Sequence, residues 1–167
     1  MLYSRKVDDL ATPAKIRVFS FISAAKQQFE PLGIEVLVTC TKRDGEAQNA
    51  LYAHGRTREQ LDAVGLTDVQ PVPGSRLTNA HANQSFHQFG VATDILLLKF
   101  GKAIDDHTPE GNALWTEAGE IGERCGLEWA GRWKGSLQEK CHFQYTGGLT
   151  LADFQAGKTI SLERAAA

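Results

Sequence analysis

Two short segments of the sequence combine histidine with a carboxylate. Asp94 follows His87 by seven residues, and Glu139 precedes His142 by three. Two imidazoles and one carboxylate are a common ligand set for catalytic zinc, which keeps its fourth tetrahedral position for water. Gly90 allows the backbone to turn between His87 and Asp94, so that both side chains can converge. The four polar residues therefore predict a candidate zinc site.

Two of these residues also have simpler interpretations. Asp94 opens the apolar run 95–98, where a carboxylate needs a partner. A metal is one such partner, and a capped turn or a lysine is the alternative. Glu139 would point away from His142 on a regular strand, so the two share a site only if Glu139 lies on the turn before the strand. There it would act as a general base; otherwise it is a solvated surface glutamate.

Several other catalytic patterns are absent from the sequence. It contains no HExxH, no CxxC pair, no GxSxG and no GxxxxGK[ST] phosphate loop. Cys141 adjoins His142, but neighbours on a strand point to opposite faces, which favours a buried structural cysteine over a nucleophile. The three cysteines are predicted to be reduced thiols.

The spacing of the polar residues resembles the zinc peptidases of family M15, the D-alanyl-D-alanine carboxypeptidases and dipeptidases. The matching positions are Ser85, His87, Gly90, Ala92 and Asp94, followed by Glu139 and His142. Flanking stretches extend the resemblance to roughly residues 10–160: Arg43 with 48–57, then 77–80 and 126–133. The first flank is similar to a stretch in phage L-alanyl-D-glutamate endopeptidases. Lys42, where the family usually has an aromatic residue, and a longer segment 58–77 depart from the pattern.

The resemblance implies roles for individual residues. It implies one zinc ion per chain, held by His87, Asp94 and His142. Glu139 would be the general base, and Arg43 would bind a substrate carboxylate or the developing oxyanion. Ser85 would either bind substrate or orient its loop. Trp129 and Trp133 would either line the cleft or pack in the core.

The substrate implied by the resemblance is the stem peptide of peptidoglycan. The favoured activity is hydrolysis of the L-Ala–D-Glu bond by an endolysin that lyses the bacterial cell wall. A D-Ala-D-Ala carboxypeptidase or dipeptidase with the same zinc centre is the alternative. A zinc-containing binding domain without catalysis, as in hedgehog signalling domains, is a third possibility.

The elements that would position these residues follow from periodicity and capping. A helix should begin at a Thr12 cap, with Ile16, Phe19, Ile22 and Ala25 at helical spacing and Val18, Phe21 and Phe29 beside them. Strands are predicted at 34–41, 91–100 and 139–145. Asp44 and Thr108 should cap two further helices. Residues 58–64 could form a helical turn, and 65–84 should be a long loop.

These elements predict an α+β fold. It would be a single small domain in which helices flank an antiparallel sheet. The resemblance refines this expectation to the fold that DD-peptidases share with hedgehog domains. One catalytic domain is expected over residues 1–167, without a separate wall-binding domain, and the tail from 164 to 167 should fray.

Composition limits the partners. A net charge of −2 argues against nucleic acid, and no apolar run reaches the roughly 18 residues that a membrane span needs. The charged N-terminus does not resemble a signal peptide. A monomer made in the cytoplasm is expected. The resemblance to phage endopeptidases implies that it would reach periplasmic peptidoglycan through a holin-type pore.

Overall fold

The computed structural model describes residues 1–162, which contain five strands and five α-helices joined by 3-10 turns and loops. The helices are α1 (Thr12–Phe29), α2 (Gly45–Tyr52), α3 (Arg58–Asp62), α4 (Pro109–Arg124) and α5 (Leu151–Gln155). The strands are β1 (Ile34–Cys40), β2 (Ala92–Lys99), β3 (Lys102–Ala103), β4 (Glu128–Trp129) and β5 (His142–Gln144). The predicted fraying of 164–167 lies outside the described residues.

The strands form one antiparallel sheet in the order β1-β2-β5-β4, and β3 pairs with β2 as a short hairpin. The predicted α+β class with an antiparallel sheet is therefore confirmed. The register aligns three residues in one row, because Asp94 on β2 lies opposite Cys40 on β1 and opposite His142 on β5. Directly paired residues project from the same face of a sheet, so this row brings two of the predicted zinc ligands together.

Helices α1 and α4 pack together and contribute to the main hydrophobic core. On α1 the buried residues include Val18, Phe21 and Phe29, whereas Ile16 is 52% exposed and Phe19 is 69% exposed. Both sets are spaced for a helix, so periodicity alone did not identify the buried face. The sheet decides it, since Phe21 packs against Phe143 of β5 with ring centroids 4.4 Å apart.

Helix starts agree with the predicted caps in two of three cases. Oδ1 of Asp44 accepts a hydrogen bond from an amide at the start of α2, and Oγ1 of Thr108 does the same for α4. The prediction for α1 is wrong by one residue, because Thr12 is already helical and Ala11 holds the cap position without a side-chain bond. Pro13 favours the helical backbone angle at this start, and it has no backbone N–H that would be left without a hydrogen-bond acceptor.

Two glycines on α4 allow the helix to approach the strands that carry the site. A Cβ atom at Gly122 would lie 2.6 Å from the ring of Phe143, and one at Gly119 would lie 2.2 Å from the ring of Trp129. Phe143 directly follows His142, so this packing sets the position of β5. The close helix–sheet contact thus fixes the backbone that presents His142.

The segment after α2 contains the predicted helical turn, now α3, and then the predicted long loop. A capping box of Thr57 and Gln60 starts α3. The loop is held by the guanidinium of Arg58, which donates to the carbonyls of Leu66 and Val69 at 2.5 and 2.6 Å.

Strands β3 and β4 were not predicted, since each is only two residues long. Within residues 1–162, none of the helices has the length and apolar character that a bilayer crossing requires.

Candidate metal centre and cleft

Three side chains meet at one point on the sheet. Nε2 of His87 lies 3.2 Å from Oδ1 of Asp94 and 3.3 Å from Nδ1 of His142, and the last two atoms are 2.9 Å apart. His87 comes from a 3-10 turn, Phe86–Phe89, that precedes β2, and Gly90 ends this turn with a left-handed backbone (φ 66°). The predicted convergence of His87, Asp94 and His142 is therefore observed.

The triangle has the size that a tetrahedral zinc site needs. Zinc–ligand bonds of about 2.0–2.1 Å at the tetrahedral angle place donor atoms about 3.3 Å apart. The three observed edges are 2.9, 3.2 and 3.3 Å. The two imidazoles are almost fully buried, while the side chain of Asp94 keeps 18% of its surface exposed. The donor set and its spacing fit a zinc ion with one position open to solvent.

In both histidines the ring nitrogen that faces away from the triangle has a hydrogen-bond partner, and this partner determines which nitrogen carries the proton. Nδ1 of His87 donates to the carbonyl of Thr41 at 3.1 Å, and Nε2 of His142 donates to Oε1 of Gln144 at 3.1 Å. A neutral imidazole carries one N–H, so both inner nitrogens then present lone pairs, as does Asp94. Three lone pairs that face one another are stabilised by a cation at their centre, which supports the fit to a metal.

The electrostatics of the triangle are dominated by its burial and its one negative charge. Burial opposes the charged form of Asp94, yet the imidazoles of His87 and His142 hold the pKa of its carboxyl well below the usual range. Burial lowers the pKa of His87. Burial also works against the charged form of His142, but the protonated imidazole can donate from Nδ1 to Asp94, which raises the pKa of His142. The site therefore keeps Asp94 ionised and available as a ligand.

Cys40 adds a thiol to the same face of the sheet. Its sulfur and ligand atoms of His87 and Asp94 all lie within 4.8 Å of one another. Burial raises the pKa of this thiol, so it is protonated at neutral pH and a weaker donor than the imidazole of His142. The register explains the proximity, because Cys40 and His142 flank Asp94 on its two sides.

A cleft of ≈ 190 Å³ opens beside the triangle, and Glu139 lines it together with His87 and His142. Glu139 lies on the turn before β5, and its side chain is exposed. Its backbone carbonyl accepts from the amide of His142 at 3.2 Å, which ties the turn to the strand. Glu139 therefore lies on the turn before the strand, as it must if it is to share one site with His142.

Arg43 lies between β1 and α2 and reaches the same cleft. Its backbone N–H donates to the carbonyl of His87 at 3.4 Å, which fixes it beside the triangle. Its buried Nε has no hydrogen-bond partner within residues 1–162, and its guanidinium carbon lies 6.0 Å from the ring centroid of Tyr3. A guanidinium whose Nε lacks a partner within residues 1–162, beside a metal-sized site, is suited to an anionic group of a ligand.

Ser85 and residues 78–80 also contribute to the wall of the cleft. The amide of Gln48 donates to the carbonyl of Ala80 at 2.6 Å, and Arg56 donates to that of Thr78 at 2.8 Å. The stretch 48–57, which carries part of the family resemblance, thus holds this wall in place.

The two tryptophans differ in role. Trp133 lines the cleft, with its ring centroid 5.8 Å from that of His142, whereas Trp129 is 3% exposed and packs in the core. Cys141 packs against the core as predicted, and burial raises the pKa of its thiol to about 12, which leaves no thiolate for catalysis.

Gln144 was missed by the sequence analysis, although its place two residues after His142 puts both on one face of β5.

Comparisons with known proteins find similar sequences and structures. A family model described as D-alanyl-D-alanine carboxypeptidase, of the M15 peptidases, matches residues 78–145, which include Ser85, the triangle and Glu139. The peptidoglycan L-alanyl-D-glutamate endopeptidase CwlK of Bacillus subtilis is 34% identical over 107 residues. That match covers 61% of this chain and 56% of CwlK, so the chain spans little more than half of that relative.

Two solved structures also align with the chain. The L-Ala D-Glu endopeptidase ChiX of Serratia marcescens aligns with a TM-score of 0.49 and 18% identity, covering 89% of this chain and 86% of ChiX. The LD-carboxypeptidase LdcB aligns with a TM-score of 0.48 and 17% identity, covering 93% of this chain and 67% of LdcB. The family model and the curated relative show that this chain is similar to M15 peptidases over part of its length.

Proposed function

We propose that this chain is a zinc-dependent peptidase that hydrolyses the L-Ala–D-Glu bond in the stem peptide of peptidoglycan. One observation carries the proposal: the triangle of His87, Asp94 and His142 opens into a cleft that Glu139 and Arg43 also line. The relationship to the M15 peptidases supports a peptidase acting on peptidoglycan. The match to an L-alanyl-D-glutamate endopeptidase supports this particular bond.

In the proposed mechanism His87, Asp94 and His142 hold one Zn²⁺. When bound, the ion supplies Lewis-acid activation of water and of the scissile carbonyl. Glu139 takes a proton from the attacking water and later delivers it to the leaving amine. Its exposed place on the turn leaves the side chain free to rotate between these two positions. Such proton transfer typically contributes about 10²–10⁴-fold to the rate.

Arg43 has a separate task in this mechanism. Stem peptides carry free carboxylates, and the tetrahedral transition state of peptide hydrolysis develops an oxyanion. The guanidinium of Arg43 can donate two parallel hydrogen bonds to either group. Because its Nε has no partner within residues 1–162, substrate binding breaks no hydrogen bond of that atom. Ser85 lies in the same cleft and is proposed to bind substrate there.

A D-Ala-D-Ala carboxypeptidase is the second candidate, favoured by the description of the matching family. Digestion of purified peptidoglycan, followed by mass spectrometry of the products, separates the two. A new D-Glu amino terminus supports the endopeptidase, whereas released D-Ala supports the carboxypeptidase. Zinc content without hydrolysis of any muropeptide would instead indicate a binding domain. A parallel digestion with chelator tests whether the metal is needed.

We further propose that the chain acts as a monomeric endolysin, with residues 1–167 forming one catalytic domain. It would be made in the cytoplasm and reach periplasmic peptidoglycan through a holin-type pore. The support is the similarity of residues 48–57 to phage endopeptidases. Co-expression with a pore-forming holin should lyse a Gram-negative host, and expression of the chain alone should not. Lysis without the pore would refute the release step.

A further inference from the structure

We infer that Gln144 and Glu128 are positioning residues that fix the proton of His142 on Nε2, so that Nδ1 faces the metal centre. The inference rests on the proposed function, because it concerns one of the proposed zinc ligands. Three contacts carry it. Nε2 of His142 lies 3.1 Å from Oε1 of Gln144, whose Nε2 donates to Oε2 of Glu128 at 2.9 Å. Oε1 of Glu128 accepts from the indole of Trp133 at 2.8 Å.

Glu128 makes this chain of contacts directional. A side-chain amide can rotate by half a turn, which would exchange its oxygen and its nitrogen with little change in shape. A carboxylate only accepts, so Glu128 holds the NH₂ group of Gln144 towards itself and turns Oε1 towards His142. An amide oxygen in turn only accepts, so the facing ring nitrogen of His142 must carry the proton. Without Glu128, either amide orientation would be possible.

The sheet builds this arrangement into the backbone. Glu128 on β4 lies directly opposite Gln144 on β5, and two residues earlier on β5 His142 lies opposite Asp94. Gln144 is 3% exposed, so water does not compete for its amide, whereas Glu128 is exposed and keeps its charge hydrated. The negative charge of Glu128 therefore reaches His142 through a buried amide. This charge makes Nδ1 of His142 a stronger electron-pair donor to a metal ion, without adding a second buried anion.

Partners of this kind typically change metal affinity by 10–100-fold. We therefore expect Gln144→Met, which keeps the length of the side chain but offers no strong acceptor, to weaken Zn²⁺ affinity by about 10–100-fold. Glu128→Gln should weaken it several-fold, because an amide at position 128 no longer selects one orientation of Gln144. Affinity is measured by competition between the protein and a chromogenic chelator for Zn²⁺.

A matched control is available on α4. The amide of Gln28 donates to a carboxylate oxygen of Glu117, an exposed contact of the same chemical kind on another element. Glu117→Gln should leave Zn²⁺ affinity unchanged. A second readout follows the imidazole itself: in the zinc-loaded protein, ¹⁵N NMR should show the proton of His142 on Nε2. Glu128→Gln should broaden or shift that signal, which a merely structural change would not do.

The possible outcomes separate this inference from the proposed function. If both variants keep Zn²⁺ affinity within twofold of the parent, the inference is overturned. If Gln144→Met fails to fold, Glu128→Gln decides the question alone, since it replaces an exposed carboxylate with an amide of the same size. If the parent chain binds zinc but cleaves no muropeptide, the proposed function fails. The affinity comparison between parent and variants then still tests Gln144 and Glu128.

Discussion

Replacement of Arg43 tests the proposed mechanism most directly, because its effects on activity and on stability should differ. The guanidinium lies in the cleft, and its buried Nε has no partner within residues 1–162. The guanidinium carbon lies 6.0 Å from the ring centroid of Tyr3, a weak stabilising contact. A cation–π contact at that distance contributes at most about 1 kcal/mol. Arg43→Ala should therefore lower the melting temperature by only a few degrees.

The effect on catalysis should be larger. Two charge-assisted hydrogen bonds to a carboxylate or oxyanion contribute about 1.5–3 kcal/mol each. Loss of both should reduce kcat/KM for Arg43→Ala by roughly a hundredfold or more, which corresponds to about 3 kcal/mol. Arg43→Lys keeps the charge but not the planar pair of donors, and it should lose at least about tenfold, or roughly 1.4 kcal/mol.

The assay is steady-state hydrolysis of a soluble muropeptide, with zinc content and melting temperature measured on the same samples. Arg124→Ala, an exposed arginine in the last turn of α4, is the matched control and should retain parent activity. If Arg43→Ala and Arg43→Lys both match the parent in kcat/KM, the proposed role of Arg43 is wrong. If Arg43→Ala instead loses several kcal/mol of folding free energy, the arginine holds the junction between β1 and α2.

Four further predictions concern the metal, the base and the packing. His87→Ala should lose most of its zinc in elemental analysis, and removal of zinc from the parent should lower its melting temperature; full occupancy in the variant would refute the ligand assignment. Glu139→Gln should keep its zinc yet lose about 10²–10⁴-fold in kcat, and activity within a few-fold of the parent would place the base elsewhere. Zinc affinity should fall as pH drops through the pKa of His142, which Asp94 raises against the opposing effect of burial, because proton and metal compete for the imidazole; equilibrium dialysis across pH checks this. Gly122→Ala should destabilise the fold by about 1–3 kcal/mol in chemical denaturation, since the new methyl would lie 2.6 Å from the ring of Phe143, and an unchanged midpoint would contradict the packing argument.

The sequence predicted which polar side chains meet better than it predicted the surfaces around them. The positions of His87, Asp94 and His142 could be predicted because their spacing matches a known family pattern. The structure then supplied the cross-strand register that brings Asp94 and His142 together. The buried face of α1 could not be predicted, because Phe19 and Phe21 both lie on apolar stripes with helical spacing. Only contact with β5 determines that Phe21 is buried while Phe19 is not.

Contacts between distant parts of the chain were also beyond sequence reasoning. Cys40 lies near the donor atoms because a strand register places it opposite Asp94. Glu128 and Gln144 meet because β4, only two residues long, pairs with β5. A two-residue strand has no periodicity that a sequence can display, and the register between β1 and β2 is not written in either strand alone, so neither contact was foreseeable. The helix caps at Asp44 and Thr108, in contrast, depend on a few adjacent residues and were predicted correctly.

The division of the donor triangle between two parts of the sequence has a consequence for the order of events during biosynthesis. His87 and Asp94 lie close together in the sequence, but His142 is 55 residues from His87 and joins them only when β5 pairs with β2. A nascent chain that has reached only β2 offers two of the three donors and should hold zinc weakly. Zinc capture would therefore follow emergence of β5 from the ribosome. Retention of the ion during purification would then report that the sheet has closed.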